Sequence, residues 1–451
     1  MGIVKKTFRY LIVNIRDRKI VRVYDELLTK STSSIAIIKA KQLEKIGELI
    51  QHAYNNVPYY SSCIKQTSLV RNQRVSLTDI GQLSELPILT KDIIRREGDK
   101  LISRDSHGRR MYRNTSGGST GEPVEFMQDA DYFTHNMANT YLAKSWRGCG
   151  LYDSTVVLWG AERDTFKGRR TLLLRMKDFF FNTHRLNTFL MSDADKRGAL
   201  DLLNKSPPSL VVSYIQSIYE LARYAKERNL SIREQRAIHA AAGTVYDFMR
   251  DEIEAVFKCR LFNHYGSREV GPIASECSAH DGLHVMADNC FVEVVDDDGN
   301  VCVPGQAGNI VVTSLNNYSM PLIRYKIGDV GSIKKESVCA CGCGYPMLEK
   351  VSGRSTDLFR RSDGVVVDGE FFTHLFYFIP GIKLFQVIQE GYNHIVIKLV
   401  CHEGASREFE KAITEKIVKI MGGSCCVQYD YVSDIPKTST GKFVYTRSNI
   451  K

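Results

Sequence analysis

Between residues 156 and 225 short apolar runs alternate with a helical pattern, and this alternation restricts the chain more than any other feature. Val156-Val157-Leu158-Trp159 and Leu210-Val211-Val212 are short and continuously apolar, as strands covered on both faces are. Ile218, Leu221, Ala222 and Ala225 then recur at helical spacing, placing a helix after the second run. Buried strands followed by helices call for a layered α/β domain. A chain of 451 residues can bury a large core without disulfide staples. Its 43% hydrophobic content excludes collagenous, low-complexity and wholly disordered classes. No apolar run approaches the roughly 18 to 20 residues needed to span a bilayer. Leu172-Leu173-Leu174, for example, is followed at once by Arg175 and Lys177.

Around that centre the texture changes twice. Residues 1–60 read as helical, with Leu43, Ile46, Leu49, Ile50 and Ala53 on one face and Pro58 stopping the run. From about residue 290 strands take over. Phe291 to Val295, the turn Asp296-Asp297-Asp298-Gly299, and Val301 to Val303 predict a hairpin, and Ile310 to Thr313 a further strand. In the last hundred residues, strand patterns at 384–388 and 395–400 precede an amphipathic helix carrying Phe409, Ala412, Ile413, Ile417 and Ile420. Val427, Tyr429 and Tyr431 alternate after it, which predicts a small β-β-α-β unit. The boundary falls at 353–357, dividing the chain into residues 1–353 and 354–451.

The net charge of +10 is concentrated. Residues 1–30 carry eight basic side chains against three acidic ones, and residues 161–185 seven against three. Such patches suit phosphates, nucleic acid or an anionic membrane, or are simply solvated faces. Met1-Gly2-Ile3-Val4-Lys5-Lys6-Thr7 lacks the Ser or Thr of a myristoylation signal, and no signal-peptide core follows. A cytoplasmic protein is expected, with weak peripheral membrane contact through the basic N-terminus left open. The twelve cysteines are scattered and require no disulfide framework. Only Cys339-Ala340-Cys341-Gly342-Cys343 forms a local cluster, to which Cys277 and either His280 or His284 could add ligands for zinc. Reduced cysteines in an ordinary turn are the alternative.

The first chemical signal is the loop Thr115-Ser116-Gly117-Gly118-Ser119-Thr120-Gly121-Glu122-Pro123. Its glycines let backbone N–H groups turn inward and its hydroxyls add donors, a nest suited to phosphate oxygens. It is not a Walker-type loop, because no Lys-Ser or Lys-Thr pair follows. Alone, it could equally be a flexible connection. Four further motifs follow in order: Tyr265-Gly266-Ser267-Arg268-Glu269, Tyr325-Lys326-Ile327-Gly328-Asp329, Gly353-Arg354-Ser355-Thr356-Asp357, and Pro436-Lys437-Thr438-Ser439-Thr440-Gly441-Lys442.

Together the five motifs resemble the adenylate-forming superfamily of acyl-CoA synthetases, over essentially the whole chain. Val57-Pro58-Tyr59-Tyr60, the lysine-free Gly121-Glu122-Pro123-Val124 and the Cys/His pattern around 277–284 and 339–342 are most similar to one branch. That branch contains the phenylacetate–CoA ligases and the CapK-like proteins of capsular polysaccharide biosynthesis. The resemblance implies an α/β (α+β) fold with a large adenylation domain and a small mobile lid. It also implies ATP-dependent, AMP-forming ligation of a small carboxylic acid, through an acyl-adenylate, to CoA, or to an amine or sugar acceptor. No nucleic-acid partner is expected.

By the same resemblance Thr115, Ser116, Gly117, Gly118, Ser119, Thr120 and Gly121 hold the β- and γ-phosphates, with Gly266 and Ser267 also in the ATP site. Glu269 ligates Mg²⁺, Tyr265 packs on adenine, Asp329 takes the ribose hydroxyls, and Arg354 reaches the ribose or phosphates. Lys442 bridges the carboxylate and the α-phosphate, and Asp357 is the hinge. Cys277, His284, Cys339 and Cys341 hold a structural Zn²⁺, with Cys343 a potential substitute.

Three departures from the family pattern matter. Ala241-Ala242-Gly243-Thr244 lacks the usual acidic residue at the adenine edge, and Ser362-Asp363-Gly364-Val365-Val366-Val367-Asp368 is closer to CapK-like members than to phenylacetate ligases. Arg163, Arg169 and Arg170, near the expected acid pocket, suggest a polar or anionic acid. The rival class is a non-catalytic, zinc-stapled protein that binds nucleic acid or a membrane surface.

Overall fold

We describe the protein from a computed structural model covering residues 17–116, 124–159, 182–188, 191–205, 207–335, 338–354, 358–363, 366–376, 379–402, 406–436 and 443–450. Its centre is an 11-stranded sheet. At one end Thr183–Asn187, Thr155–Trp159, Leu210–Tyr214, Ile238–Ala241 and Leu261–Ser267 lie side by side, all parallel. Val156, Leu158, Leu210 and Val211 are buried, as the continuous apolar runs require. The helix Ile215–Glu227 follows the second run and buries Ile218, Leu221, Ala222 and Ala225. This is the expected layered α/β class.

Beyond Leu261–Ser267 the sheet becomes antiparallel, through Gly271–Glu276, Leu283–Val285, Met347–Arg354, Tyr325–Ile333, Gly308–Ser314 and Cys290–Val295. Leu261–Ser267 therefore joins the two halves. A strand in that position delivers its C-terminal residues to a crevice at the sheet's change of direction, where α/β proteins place ligands.

The helical start divides into Arg18–Lys30, Ile35–Asn56 and Pro58–Ile64. Ile46, Leu49, Ile50 and Ala53 of the second helix share a core with the antiparallel half. Within that contact the Gln42 amide donates to the carbonyls of Ala287 (2.9 Å) and Cys290 (3.2 Å). Pro58 does more than stop the run. Val57 is extended, as a residue before proline tends to be, and Pro58 then occupies the first turn of a new helix, where no N–H is needed.

The predicted hairpin also needs correction. Cys290–Val295 pairs with Gly308–Ser314, and Val301 contributes only an isolated bridge to Val295. Asp296 does build the turn, accepting from the N–H groups of Asp298 and Asn300. Pro304 and Gly305 (φ +89°) then break the short run, leaving Val303 two-thirds exposed, so that beyond the bonds of Cys302 N–H to the Val294 carbonyl and of Asp296 N–H to the Asn300 carbonyl the arm does not extend.

The C-terminal part forms a four-stranded sheet in the order Cys426–Tyr431, His394–Cys401, Ile382–Gly391, Thr446–Ser448, with the helix Phe409–Met421. The three-residue last strand, parallel to Ile382–Gly391, extends the expected β-β-α-β to five elements. Phe385 and Tyr445 share a core with Ile218 and Leu221, and the Tyr445 hydroxyl donates to Gln216 Oε1 at 3.1 Å, docking this sheet on the helix Ile215–Glu227. Among the described residues no helix is long and apolar enough to cross a membrane.

Candidate active site

Thr115 ends the strand Met111–Thr115, which forms a ladder with Glu125–Asp129. Ser116 is buried at the neck of the loop: its N–H donates to the Val124 carbonyl, and its Oγ accepts from Val124 N at 2.9 Å. Its acceptor role is thus occupied by the chain itself, leaving its hydroxyl proton for a ligand. Gly117, Gly118, Ser119, Thr120 and Gly121 lie outside the described residues. So do Asp357, Lys442 and the arginines at 163, 169 and 170.

The second and third motifs come together where the sheet changes direction. Tyr265 donates its hydroxyl to Asp329 Oδ2 at 2.8 Å. Gly266 has to be glycine, since a Cβ there would lie 2.7 Å from the Gly271 carbonyl. Ser267 Oγ accepts from Val270 N at 3.2 Å and closes the turn that presents Glu269. The Glu269 carboxylate is buried and receives the Tyr325 hydroxyl at 3.2 Å. Its turn is held from below, because Gln128 and Tyr132 donate to the carbonyls of Arg268 and Glu269. Asp329 is the register partner of Arg354 on the neighbouring strand. Tyr265, Glu269, Asp329 and the backbone of Arg354 thus converge. The strand Ile238–Ala241 ends nearby, and Ala242 follows it at φ +64°.

This pairing bears on the chemistry. A buried carboxylate with one hydroxyl donor keeps free lone pairs, as a ligand for a hard cation must. Tyr325, to which the sequence assigned no separate role, fixes that carboxylate. Its place four residues before Asp329 was the available signal.

A second cluster lies on the antiparallel half. One ligand atom each from Cys277, His284, Cys339 and Cys341 falls within 4.8 Å of the others. Cys277 Sγ and Cys339 Sγ are 3.7 Å apart, close to the edge of about 3.8 Å expected for a tetrahedron with 2.3 Å metal–sulfur bonds. His284 Nε2 is 3.3 Å from Cys341 Sγ, while its Nδ1 lies 3.2 Å from the Tyr345 carbonyl. That carbonyl makes Nδ1 the protonated nitrogen and leaves the Nε2 lone pair for a ligand. Gly342, at φ +79°, turns the chain between the thiols and returns its N–H to the Cys339 carbonyl. His280 sits instead 3.4 Å from Glu276, and Cys343 lies outside the four-ligand group, its N–H donating to Cys341 Sγ. Three thiols and one imidazole at these distances fit a closed structural zinc site.

Residues 359–449 match the CapK C-terminal domain family. Across 91% of this chain and 89% of the relative, the sequence is 26% identical to Protein CapK of Staphylococcus aureus. It is 24% identical to the phenylacetate–coenzyme A ligase of Pseudomonas putida, over 72% of this chain and 73% of that one. Its homologues are CapK and the phenylacetate–coenzyme A ligases. Among solved structures, 2-hydroxyisobutyryl-CoA ligase in its postadenylation state superposes with a TM-score of 0.72 at 15% identity, covering 93% of this chain and 91% of that one. The chain has the fold of the adenylate-forming ligases, C-terminal domain included.

Proposed function

We propose that this protein is an ATP-dependent, AMP-forming ligase that activates a carboxylic acid as its adenylate and passes the acyl group to a thiol such as that of CoA. The observation that carries the reading is the pairing of Tyr265 with Asp329 and of Tyr325 with Glu269 where the sheet changes direction. Two anions, a carboxylate and a triphosphate, must approach there, so the site has to neutralise charge as it develops. The loop 115–121 would cradle the phosphates. Asp329 would accept the ribose hydroxyls, with Tyr265 beside the adenine and Arg354 toward ribose or phosphate. Glu269 would hold Mg²⁺, which supplies charge neutralisation between the phosphates. Lys442 would bridge the reacting carboxylate and the α-phosphate, and the unit beyond residue 354 would move about Asp357 as a lid between the two half-reactions. We place this chemistry in the cytoplasm.

The experiment is ATP–pyrophosphate exchange over a panel of acids, with and without CoA. Lys442→Ala should abolish exchange while leaving thiol transfer from supplied acyl-adenylate largely intact; equal loss of both half-reactions would remove the assignment. An amine or sugar acceptor, as a CapK-like enzyme of surface polysaccharide assembly would use, is the second reading. It is favoured by the C-terminal match to CapK and by the fuller coverage of that relative. Exchange that proceeds normally, followed by no thioester with CoA, would select it. Salt-sensitive nucleic-acid binding without exchange would select the non-catalytic alternative.

The cysteine–histidine cluster would hold structural zinc that pins Gly271–Glu276 and Leu283–Val285 to the turn at 339–343. Purified protein should carry about one zinc per chain. Cys339→Ser should lose the metal and lower the melting temperature, whereas Cys343→Ser should leave the metal content unchanged. Elemental analysis and thermal unfolding check both, and zinc-free wild-type protein would remove the proposal.

A further inference from the structure

Arg147 follows the helix Ala130–Ser145 and is buried against the strand Leu261–Ser267. One guanidinium nitrogen, Nη2, donates to Ser275 Oγ, and the group lies 5.9 Å from the centre of the Phe262 ring. Its Nε has no hydrogen-bond partner. Among the described residues no carboxylate pairs with it. Glu276, whose charge it feels, is engaged by Arg250 at 2.8 Å and by the N–H of Asn263 at 2.7 Å. The rings of His239 and His264 stand 4.5 Å apart on the same side, and His264 Nδ1 is sealed from solvent without a partner.

Strand register explains why these groups meet. His239 faces Phe262 across one ladder and Ser275 faces His264 across the next. Phe262 and His264 are two apart on one strand, so they share a face. Tyr265 is the next residue and points to the other face.

A buried guanidinium without a counter-anion is an unfavourable arrangement unless the working protein supplies one. The imidazoles do not add to the charge: burial, then Arg147, push His264 down to about 3, and His239 is also held well below its ordinary value. Arg147 itself, brought down by burial only to about 10, stays cationic at neutral pH. The cluster is thus one cation and two neutral imidazoles, with Arg147 Nε and His264 Nδ1 free. His264 keeps partial exposure as a residue while Arg147 and His239 are buried, and the Tyr265–Glu269 turn follows His264 directly in the chain.

We propose that Arg147 and His264, backed by His239, receive a second anionic group at the far end of the acid substrate, so that the enzyme activates a dicarboxylate or an acid sugar in preference to a plain aryl or alkyl acid. The inference rests on the AMP-forming reading and names the substrate class of that same site. It uses only side chains of the described residues, independently of the arginines at 163–170.

The test compares matched acids that differ only in the distal group, such as adipate with its monomethyl ester and 4-carboxyphenylacetate with phenylacetate, by pyrophosphate exchange. The wild-type enzyme should favour the diacid by about 100-fold or more in kcat/KM, because a site built for a polar group is left unpaired by the neutral analogue. Arg147→Met should cut that ratio at least about tenfold, and His264→Gln should reduce it in the same direction. The ratio is insensitive to the fraction of folded enzyme, and His264→Gln, at a half-buried position, supplies it even if Arg147→Met does not fold. A wild-type preference for the neutral partner, or a ratio unchanged in both variants, would overturn the proposal and leave Arg147 a purely structural cation. No exchange with any acid would overturn the AMP-forming reading beneath it, a distinct outcome.

Discussion

Glu269→Gln should reduce ATP–pyrophosphate exchange by about 100- to 1,000-fold while leaving the protein folded. The magnitude is that of removing one preorganised electrostatic contact from a water-excluded site, about 3 to 4 kcal/mol. The substitution preserves shape, and the amide oxygen can still accept from the Tyr325 hydroxyl, now at 3.2 Å from Oε1. What it removes is the negative charge on which a bound Mg²⁺ would rest, so the Mg²⁺ concentration required for exchange should rise in parallel. Tyr325→Phe provides the contrast. It deletes only the hydroxyl that orients the carboxylate, a hydrogen bond to a charged group worth about 1.5 to 3 kcal/mol, and should lower exchange by about 10- to 100-fold. If Glu269→Gln proved no worse than Tyr325→Phe, the carboxylate would be a structural acceptor, and the cation would have to be held elsewhere.

How much of this was readable in advance depended on whether the determining interactions are local. Leu210-Val211-Val212 and the pattern at Ile218 to Ala225 announce a strand and helix because periodicity is local. The order of the five motifs revealed the convergence of Tyr265 with Asp329 although 64 residues separate them. Pro58 ends the first helical run as its sequence predicts, and the start of a second helix at the same residue goes beyond that signal, because one proline can serve both positions. The predicted hairpin arm at 301–303 shrinks to one bridge because Pro304 and Gly305 cut it short, and the full ladder of Cys290–Val295 is with Gly308–Ser314, farther along the chain. The Arg147 cluster gave no sequence signal. It draws Arg147, His239, His264 and Ser275 from separate elements, with Arg147 and Ser275 128 residues apart, and only sheet register puts them on one face.

A second large effect is expected far from the nucleotide, at the buried pair Arg324–Glu293. Arg324 Nε donates to Glu293 Oε2 at 3.2 Å, and Nη2 lies 3.1 Å from Oε1. Burial pushes Glu293 up from the usual carboxylate range, with Arg324 pulling against it. Breaking such a pair by removing one partner leaves an uncompensated buried group and costs about 3 to 5 kcal/mol, whereas replacing both by apolar residues of similar volume is often near neutral. Here the two single substitutions should differ. Arg324 Nη1 also donates to the carbonyls of Ser84 and Leu86 (3.3 and 2.8 Å), so Arg324→Met strands two more acceptors. Glu293→Met leaves those bonds in place. Urea unfolding should therefore rank wild type above Glu293→Met and Glu293→Met above Arg324→Met, with the double variant more stable than the sum of the single losses. The site should feel the difference as well. Leu89 N–H donates to the Arg324 carbonyl and Lys326 N–H to the Leu89 carbonyl, and between them Tyr325 carries the hydroxyl on Glu269. Loosening Arg324 should therefore lower exchange beyond what Glu293→Met does, because the residue that anchors the segment 84–89 also positions the tyrosine behind the Glu269 carboxylate.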